Sequence, residues 1–247
     1  MKKYYKTILI FIFISLPFFA YSHNISTLEE GVLKVGVTGI CTDDSPHHNC
    51  WVYKILSKFA EENDLALEMQ VVTFEKSWEL AAQDLLDIVA TGITPLPHRE
   101  VDGASNSDYY SIVKRGLRIH REDANRFSTI HDFIGYRVGA VNGMTSHIDV
   151  LRRAPEGVEI VAPDTWEELY SLFDAGFIQG VAEGFYVFPG DDEDINDYHE
   201  LTQMIDAHDL VPGELEGNTF VIRDKSTGLL EAVNTYIEQS GLPWHRP

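Results

Sequence analysis

Asp87-Ile88-Val89-Ala90-Thr91-Gly92-Ile93-Thr94 is the stretch on which the fold reading turns. Its first four residues make a short strand candidate of the buried kind. Before it, Trp78, Leu80, Ala81 and Leu85 suit a helix. Further back, Leu65, Leu67, Met69 and Val71 alternate as a strand does. Beyond Trp51, the residues Val52, Ile55, Leu56, Phe59 and Ala60 recur at helical spacing. Leu33, Val35 and Val37 alternate with Lys34 and Gly36. The order is βαβαβ, which implies a mostly parallel sheet covered by helices on both faces.

Working forward, a second unit of the same kind begins near Phe127. Tyr136-Arg137-Val138-Gly139-Ala140-Val141 reads as a strand, residues 145–153 as a helix and Glu159-Ile160-Val161 as a strand. Thr165-x-x-Glu168 is a capping box opening a helix that carries Trp166, Leu169, Leu172 and Phe173. Val181-Ala182 ends that unit. Asn218-Thr219-Phe220-Val221-Ile222 is a later strand, and Leu229, Leu230, Val233, Tyr236 and Ile237 mark one face of a last helix. A closing strand and helix left over after two α/β units describe one lobe interrupted by another. The expected organisation is a leader over 1–22, lobe 1 over 23–112 plus 215–247, and lobe 2 over 113–214. The crossings fall near 111–114 and 214–217.

The leader follows from charge and hydropathy. Lys2, Lys3 and Lys6 precede an apolar run over 8–20, broken only by Ser15 and Pro17, and Ala20-Tyr21-Ser22 offers small residues for a signal peptidase. Thirteen apolar residues fall short of the ~20 that span a hydrocarbon core. Cleavage is expected after Ser22, with no cysteine there to carry a lipid, giving a free monomer in the periplasm.

Without the leader, 16 basic residues face 39 acidic ones, a net charge of −23. That excludes nucleic acid and anionic membrane surfaces as partners, since both select basic patches. Asp191-Asp192-Glu193-Asp194 reads as a solvated loop, because consecutive carboxylates do not converge on one metal ion. Cys41 and Cys50, the only cysteines, read as a disulfide in an oxidising compartment. The competing reading is a zinc site from Cys41, His47, His48 and Cys50, at a spacing that matches none of the common zinc patterns. No catalytic residue, metal or cofactor is otherwise expected.

The order of segments resembles the periplasmic solute-binding proteins of the amino-acid ABC-transporter type, solute-binding protein family 3, which includes the lysine/arginine/ornithine-binding protein. The residues that carry it begin with Gly31-Val32-Leu33-Lys34-Val35-Gly36, the usual opening strand. They continue with the stretch from Asp87 to Thr94, then His98-Arg99 and Ser107-Asp108-Tyr109-Tyr110. These stand against a D-I-x-x-x-G-[ML]-[ST] strand, T-x-x-R and S-x-P-Y. Gly135-Tyr136-Arg137-Val138-Gly139, Asn142-Gly143-Met144-Thr145, Phe173-Asp174-Ala175-Gly176 and the segment from Arg223-Asp224-Lys225 to Ala232-Val233-Asn234 match later motifs in the same order. The resemblance implies a two-lobed, type II periplasmic-binding-protein α/β fold. Each lobe is a mostly parallel sheet flanked by helices, and two crossovers hinge them.

It also implies a ligand site. Arg99 stands at the family's carboxylate-binding arginine, and a guanidinium offers the fork that a carboxylate fits. Thr94, two residues after the motif's Gly92, presents its N–H and hydroxyl at a strand's carboxyl end, where open α/β sheets place ligands. Gly143, Met144 and Thr145 open a helix whose free N–H groups and dipole suit an anion, with Thr145 also a candidate N-cap. The family's amine-binding aspartate registers on Gly184, and Glu183 is the nearest carboxylate. The family's acidic and aromatic residues in the first strand-to-helix loop are replaced by Thr38-Gly39-Ile40-Cys41, so Phe74 or Trp78 of the next loop could supply a stacking surface, and Phe74 is the candidate taken. The expected activity is capture of a small carboxylate-bearing, amino-acid-like ligand for an ABC importer, with a membrane permease or receptor as partner. Two alternatives accompany it: an enzyme resembling cyclohexadienyl dehydratase, with Glu183 as general acid, and a sensory module that signals to a membrane protein.

Overall fold

Strands β1 (Val32–Val37), β2 (Ala66–Val71) and β3 (Ile88–Ile93) lie parallel in the order β2-β1-β3, with α1 (His48–Glu62) and α2 (Glu79–Ala82) as their crossovers. The computed structural model describes residues 24–39, 48–187 and 201–242, without the side chains of 48–50 and 185–187. The leader and the 191–194 acidic run lie outside the described residues. So do Cys41, His47 and the side chains of His48 and Cys50, on which the disulfide and zinc readings rest.

The apolar run of β3 has a simple cause. Ile88 and Ala90 enter a core made with α1 and the closing helix α5 (Leu229–Gln239). Val89 and Ile93 point the other way, into a core with Trp78, Ala81 and Leu86. A strand covered on both faces needs no polar alternation. The helix expected through Leu85 is shorter than its periodicity suggests. Asp84 adopts φ 55–60° territory, at φ 60°, and closes a Schellman motif: its N–H donates to the Ala81 carbonyl and that of Leu85 to Leu80. Asp84 then accepts from Arg223 at 2.6 Å, so the stop is tied to a residue more than a hundred positions later in the chain.

The second half repeats the scheme. Strands β6 (Arg137–Gly139), β7 (Glu159–Val161) and β8 (Gly180–Val187) are parallel in the order β8-β6-β7, with α3 (Thr145–Arg153) and α4 (Trp166–Asp174) on opposite faces. Val138, Ala140 and Ala182 pack with Val150 of α3, whereas Val141 and Val181 pack with Leu169 and Phe173 of α4. The capping residue is the one read from sequence: the Thr165 hydroxyl accepts from the Glu168 N–H at 3.2 Å.

Three antiparallel strands escaped the sequence reading: β4 (Ala104–Asn106), β5 (Ser111–His120) and β9 (Thr202–His208). With β10 (Gly217–Arg223) they complete a sheet whose path is β2-β1-β3-β10-β5-β8-β6-β7, β4 pairing with β10 and β9 with β5. Strand β5 hid because it is buried yet charged. Arg115 and Arg118 are 6% and 3% exposed and are neutralised by Glu216 and Glu183. Where β10 meets β5, the pairs are Gly217 with Ile112 and Asn218 with Ser111. No helix among the described residues is long and apolar enough to cross a membrane.

A charge cluster joins α3 to β9. Asp149 Oδ2 lies 2.9 Å from His208 Nε2, Arg152 donates to Asp149 Oδ1 at 3.0 Å, and Arg153 donates to Asp206 at 2.6 Å. Burial alone would lower the His208 pKa, but bonds to Asp149 and to the Asp206 carbonyl outweigh it and raise the value. Burial would likewise raise Asp149, and the bond to His208 with the nearby arginines holds it below the usual range. A raised histidine contributes stability present in full below its unfolded value, about 6.5, and lost as pH rises through the folded one. Asp149 contributes above its unfolded value and loses that contribution as pH falls through its folded one. Thermal denaturation across pH should therefore show Tm declining above about pH 6.5. His208→Gln should flatten that decline, and an unchanged slope would remove the assignment.

Candidate functional site

The site grows from the end of β3. Gly92 takes φ 78°, a conformation that favours glycine, opposite an irregularity in β10 between Thr219 and Val221. Its carbonyl accepts from Asn218 Nδ2 at 2.9 Å. Two residues on, Thr94 is 4% exposed and donates its hydroxyl to Glu216 Oε1 at 2.9 Å.

A short 3-10 turn, Pro97–Arg99, follows, opened by a proline whose φ is fixed. It delivers Arg99 beside an edge-to-face aromatic pair, where the guanidinium carbon lies 5.2 Å from the Phe74 ring centre and 5.3 Å from that of Trp78. Arg99 is 2% exposed. Its Nη1 donates to the Thr94 carbonyl at 3.1 Å and to Thr145 Oγ1 at 3.0 Å, and its Nη2 donates to the Gly143 carbonyl at 3.2 Å. Nε is buried with no hydrogen-bond partner. Burial, then the positive charge of Arg115, lowers its pKa to about 10 against the pull of Glu216. The group stays cationic at neutral pH.

The Arg99 contacts thus reach from lobe 1 to the start of α3 in lobe 2. There the structure corrects two expectations. Met144, not Thr145, is the N-cap residue, with extended backbone and no side-chain cap. Thr145 is the first helical residue, and its hydroxyl accepts from Arg99. The three free amides expected at Gly143, Met144 and Thr145 are also fewer: Gly143 donates to His147 Nδ1 at 3.2 Å and Met144 to the Val141 carbonyl at 3.2 Å. Thr145 remains at the first helical position, where an α-helix has no internal acceptor for the N–H.

Beside Arg99 lies a second guanidinium. Arg115 donates Nε to Glu216 Oε2 at 2.9 Å, pairs closely through Nη2 with Oε1, and reaches Thr94 Oγ1 at 3.3 Å. Gly184 makes room for it: a Cβ there would meet Arg115 Nη1 at 2.9 Å and Val113 Cγ1 at 2.7 Å. Glu183, one residue earlier, turns to the other face of β8. Its Oε1 accepts from Arg118 Nε and its Oε2 from the Tyr170 hydroxyl, both at 2.6 Å.

Of the residues singled out from sequence, Arg99, Thr94, Thr145 and Phe74 converge. Gly92 and Met144 shape the backbone on either side, and Glu183 stands apart in its own ion pair. Arg115, Glu216 and Trp78 complete the group. Trp78 is the alternative to Phe74 that the sequence offers. A signal for the other two existed in the opposite charges at the two expected crossings, around 111–114 and 214–217.

No protein-family model matches the chain, and no curated protein matches it in sequence. Solved structures do. The arginine-bound, truncated ArgBP of T. maritima has a TM-score of 0.66 at 17% identity, over 85% of this chain and 96% of that one. The amino-acid ABC transporter substrate-binding protein AbpA of Streptococcus pneumoniae, bound to L-arginine, has 0.66 at 15%, over 85% and 90%. The ancestral amino-acid-binding protein AncCDT-1, a precursor of cyclohexadienyl dehydratase, has 0.68 at 17%, over 87% and 91%. The fold is therefore that of the type II periplasmic binding proteins, with mixed α/β lobes on a curled sheet.

Proposed function

We propose that this protein is an exported solute-binding protein that captures a small carboxylate-bearing ligand between lobe 1 (23–112 plus 215–247) and lobe 2 (113–214) and presents it to an ABC importer. The observation that carries the reading is Arg99, a buried cation beside two aromatic rings that meet edge to face, with its fork aimed at Thr145 and the start of α3. A ligand carboxylate would take the acceptor positions that Thr145 Oγ1 and the Gly143 carbonyl hold on that fork, and the Thr145 N–H would meet it from lobe 2. Amino-acid-binding structural neighbours support this assignment. The dehydratase alternative asks Glu183 to act as a general acid, and both oxygens of Glu183 are already engaged by Arg118 and Tyr170.

Such a ligand bridges the lobes and favours the closed form only by its differential affinity for it. A thermal-shift screen of small carboxylates on the chain without its leader identifies a stabilising compound. Small-angle scattering with that compound should then give a smaller radius of gyration than without it. An unchanged radius at saturation, for a protein that is open when free, defeats the clamp.

A further inference from the structure

We propose that Asn142-Gly143 is a self-modification site, at which the Asn142 side chain closes on the Gly143 nitrogen, loses ammonia and ends as aspartate or isoaspartate, with His147 as the base. The chemistry is independent of the carboxylate-binding reading of Arg99; only its effect on binding rests on that reading.

The chain has one Asn-Gly step, and it lies in the turn that opens α3. Both residues are exposed, so water reaches them. Gly143 takes φ 73°, and a Cβ built there would meet nothing within 4 Å. Its nitrogen can therefore be approached with no side chain in the way. The partner of that nitrogen carries the inference. The Gly143 N–H donates to His147 Nδ1 at 3.2 Å. A peptide nitrogen is a poor nucleophile until its proton is drawn off, and an imidazole within hydrogen-bond reach is a suitable general base. Burial lowers the His147 pKa, which keeps the ring neutral and able to take a proton at neutral pH. The positive end of α3 lies against the same nitrogen and favours the negative charge that develops on it.

The step balances with water as its one co-reactant. The Gly143 proton passes to His147 Nδ1 as the nitrogen bonds to Asn142 Cγ. The Cγ–Nδ2 bond then breaks, and ammonia leaves with the proton that the imidazolium returns. Water adds to one of the two carbonyls of the resulting cyclic imide. Breaking the bond to Cγ gives aspartate, and breaking the bond to the main-chain carbonyl carbon gives isoaspartate, with the chain rerouted through Cγ. The Asn142 amide donates to Asp164 Oδ1 at 3.2 Å and must leave that bond as the ring closes. The product sets a carboxylate facing Asp164 instead, and like charges so placed repel. The repulsion acts on the turn whose Gly143 carbonyl accepts from Arg99 at 3.2 Å.

Peptide mass spectrometry on the chain without its leader, incubated folded at neutral pH, follows the conversion, and hydroxylamine cleavage between 142 and 143 reports the imide. His147→Gln keeps an acceptor at the third helical position, where glutamine is favoured, but supplies no base. Conversion in that variant should slow about tenfold or more. A wild type that keeps its asparagine through an incubation in which the chain unfolded in urea loses it overturns the proposal. So does a His147→Gln rate equal to that of the wild type. Circular dichroism checks the folding of the variant, and the comparison with urea stands without it. Asn142→Asp should bind a stabilising carboxylate about fivefold or more weakly than the wild type. Equal affinity would remove the effect on binding and leave the chemistry.

Discussion

Arg99→Ala should lower affinity for a stabilising carboxylate ligand at least about a hundredfold. Removing one member of a buried charged pair typically costs ~3–5 kcal/mol, and each 1.4 kcal/mol is a factor of ten in Kd. The ligand anion would face a site whose remaining cation, Arg115, is already matched by Glu216. Arg99→Lys should recover only part of the loss, because an ammonium cannot reproduce two parallel bonds to a carboxylate. Folding should survive both changes. The substitution removes an unpartnered buried Nε and the repulsion from Arg115, which offsets the lost packing. Titration calorimetry on the wild type and both variants, with circular dichroism as the folding control, makes the comparison. Wild-type affinity in a folded Arg99→Ala protein would end the carboxylate assignment.

Arg118→Met should destabilise the fold by about 3–5 kcal/mol, the usual penalty for leaving a buried charge unpaired. Arg118 and Glu183 are 3% and 6% exposed, and Arg118 also donates to the Thr202 hydroxyl at 2.9 Å, tying β5 to β8 and β9. Burial opposes the charge on Arg118, yet its attraction to Glu183 and Tyr170 prevails and raises its pKa. The double variant Arg118→Met with Glu183→Leu should regain most of the stability, since well-packed apolar residues replace a buried pair at little cost. Urea unfolding of the two variants and the wild type measures this. Equal destabilisation of the single and double variants would mean that the loss comes from packing and not from charge. Ligand affinity should be largely preserved in the double variant, which separates this ion pair from the binding group.

How far the sequence could be read follows from which residues announce themselves. Runs covered on both faces, such as Ile88-Val89-Ala90 and Val138-Gly139-Ala140, are legible because burial there admits only apolar side chains. Strand β5 is illegible for the opposite reason. Lys114, Arg115 and Arg118 look like a solvated segment until their partners, about a hundred residues away for Arg115 and Lys114, are in place. Arg99 could be named from the family resemblance, but its aromatic neighbours could not be told from core, since Phe74 and Trp78 read equally well as such. Helix boundaries suffered where a polar residue took a glycine's place: nothing in Asp84 marks the left-handed stop that shortens α2.

The place of β10 between β3 and β5 bears on how the molecule comes to be folded. Residues 217–223 fill the middle of the sheet, yet every other strand of the described sheet precedes them in the chain. Until they arrive, the hydrogen-bonding edge of β3 lies open, with Ile88 and Ile93 unshielded on that side. Strands β1, β2 and β3 therefore cannot finish their own sheet, and the loop that must close exceeds a hundred residues. Long-range closure of this kind slows folding, and an uncovered strand edge invites association with other chains. The same topology makes β10 indispensable to the sheet, although it supplies none of the residues that bond the Arg99 guanidinium.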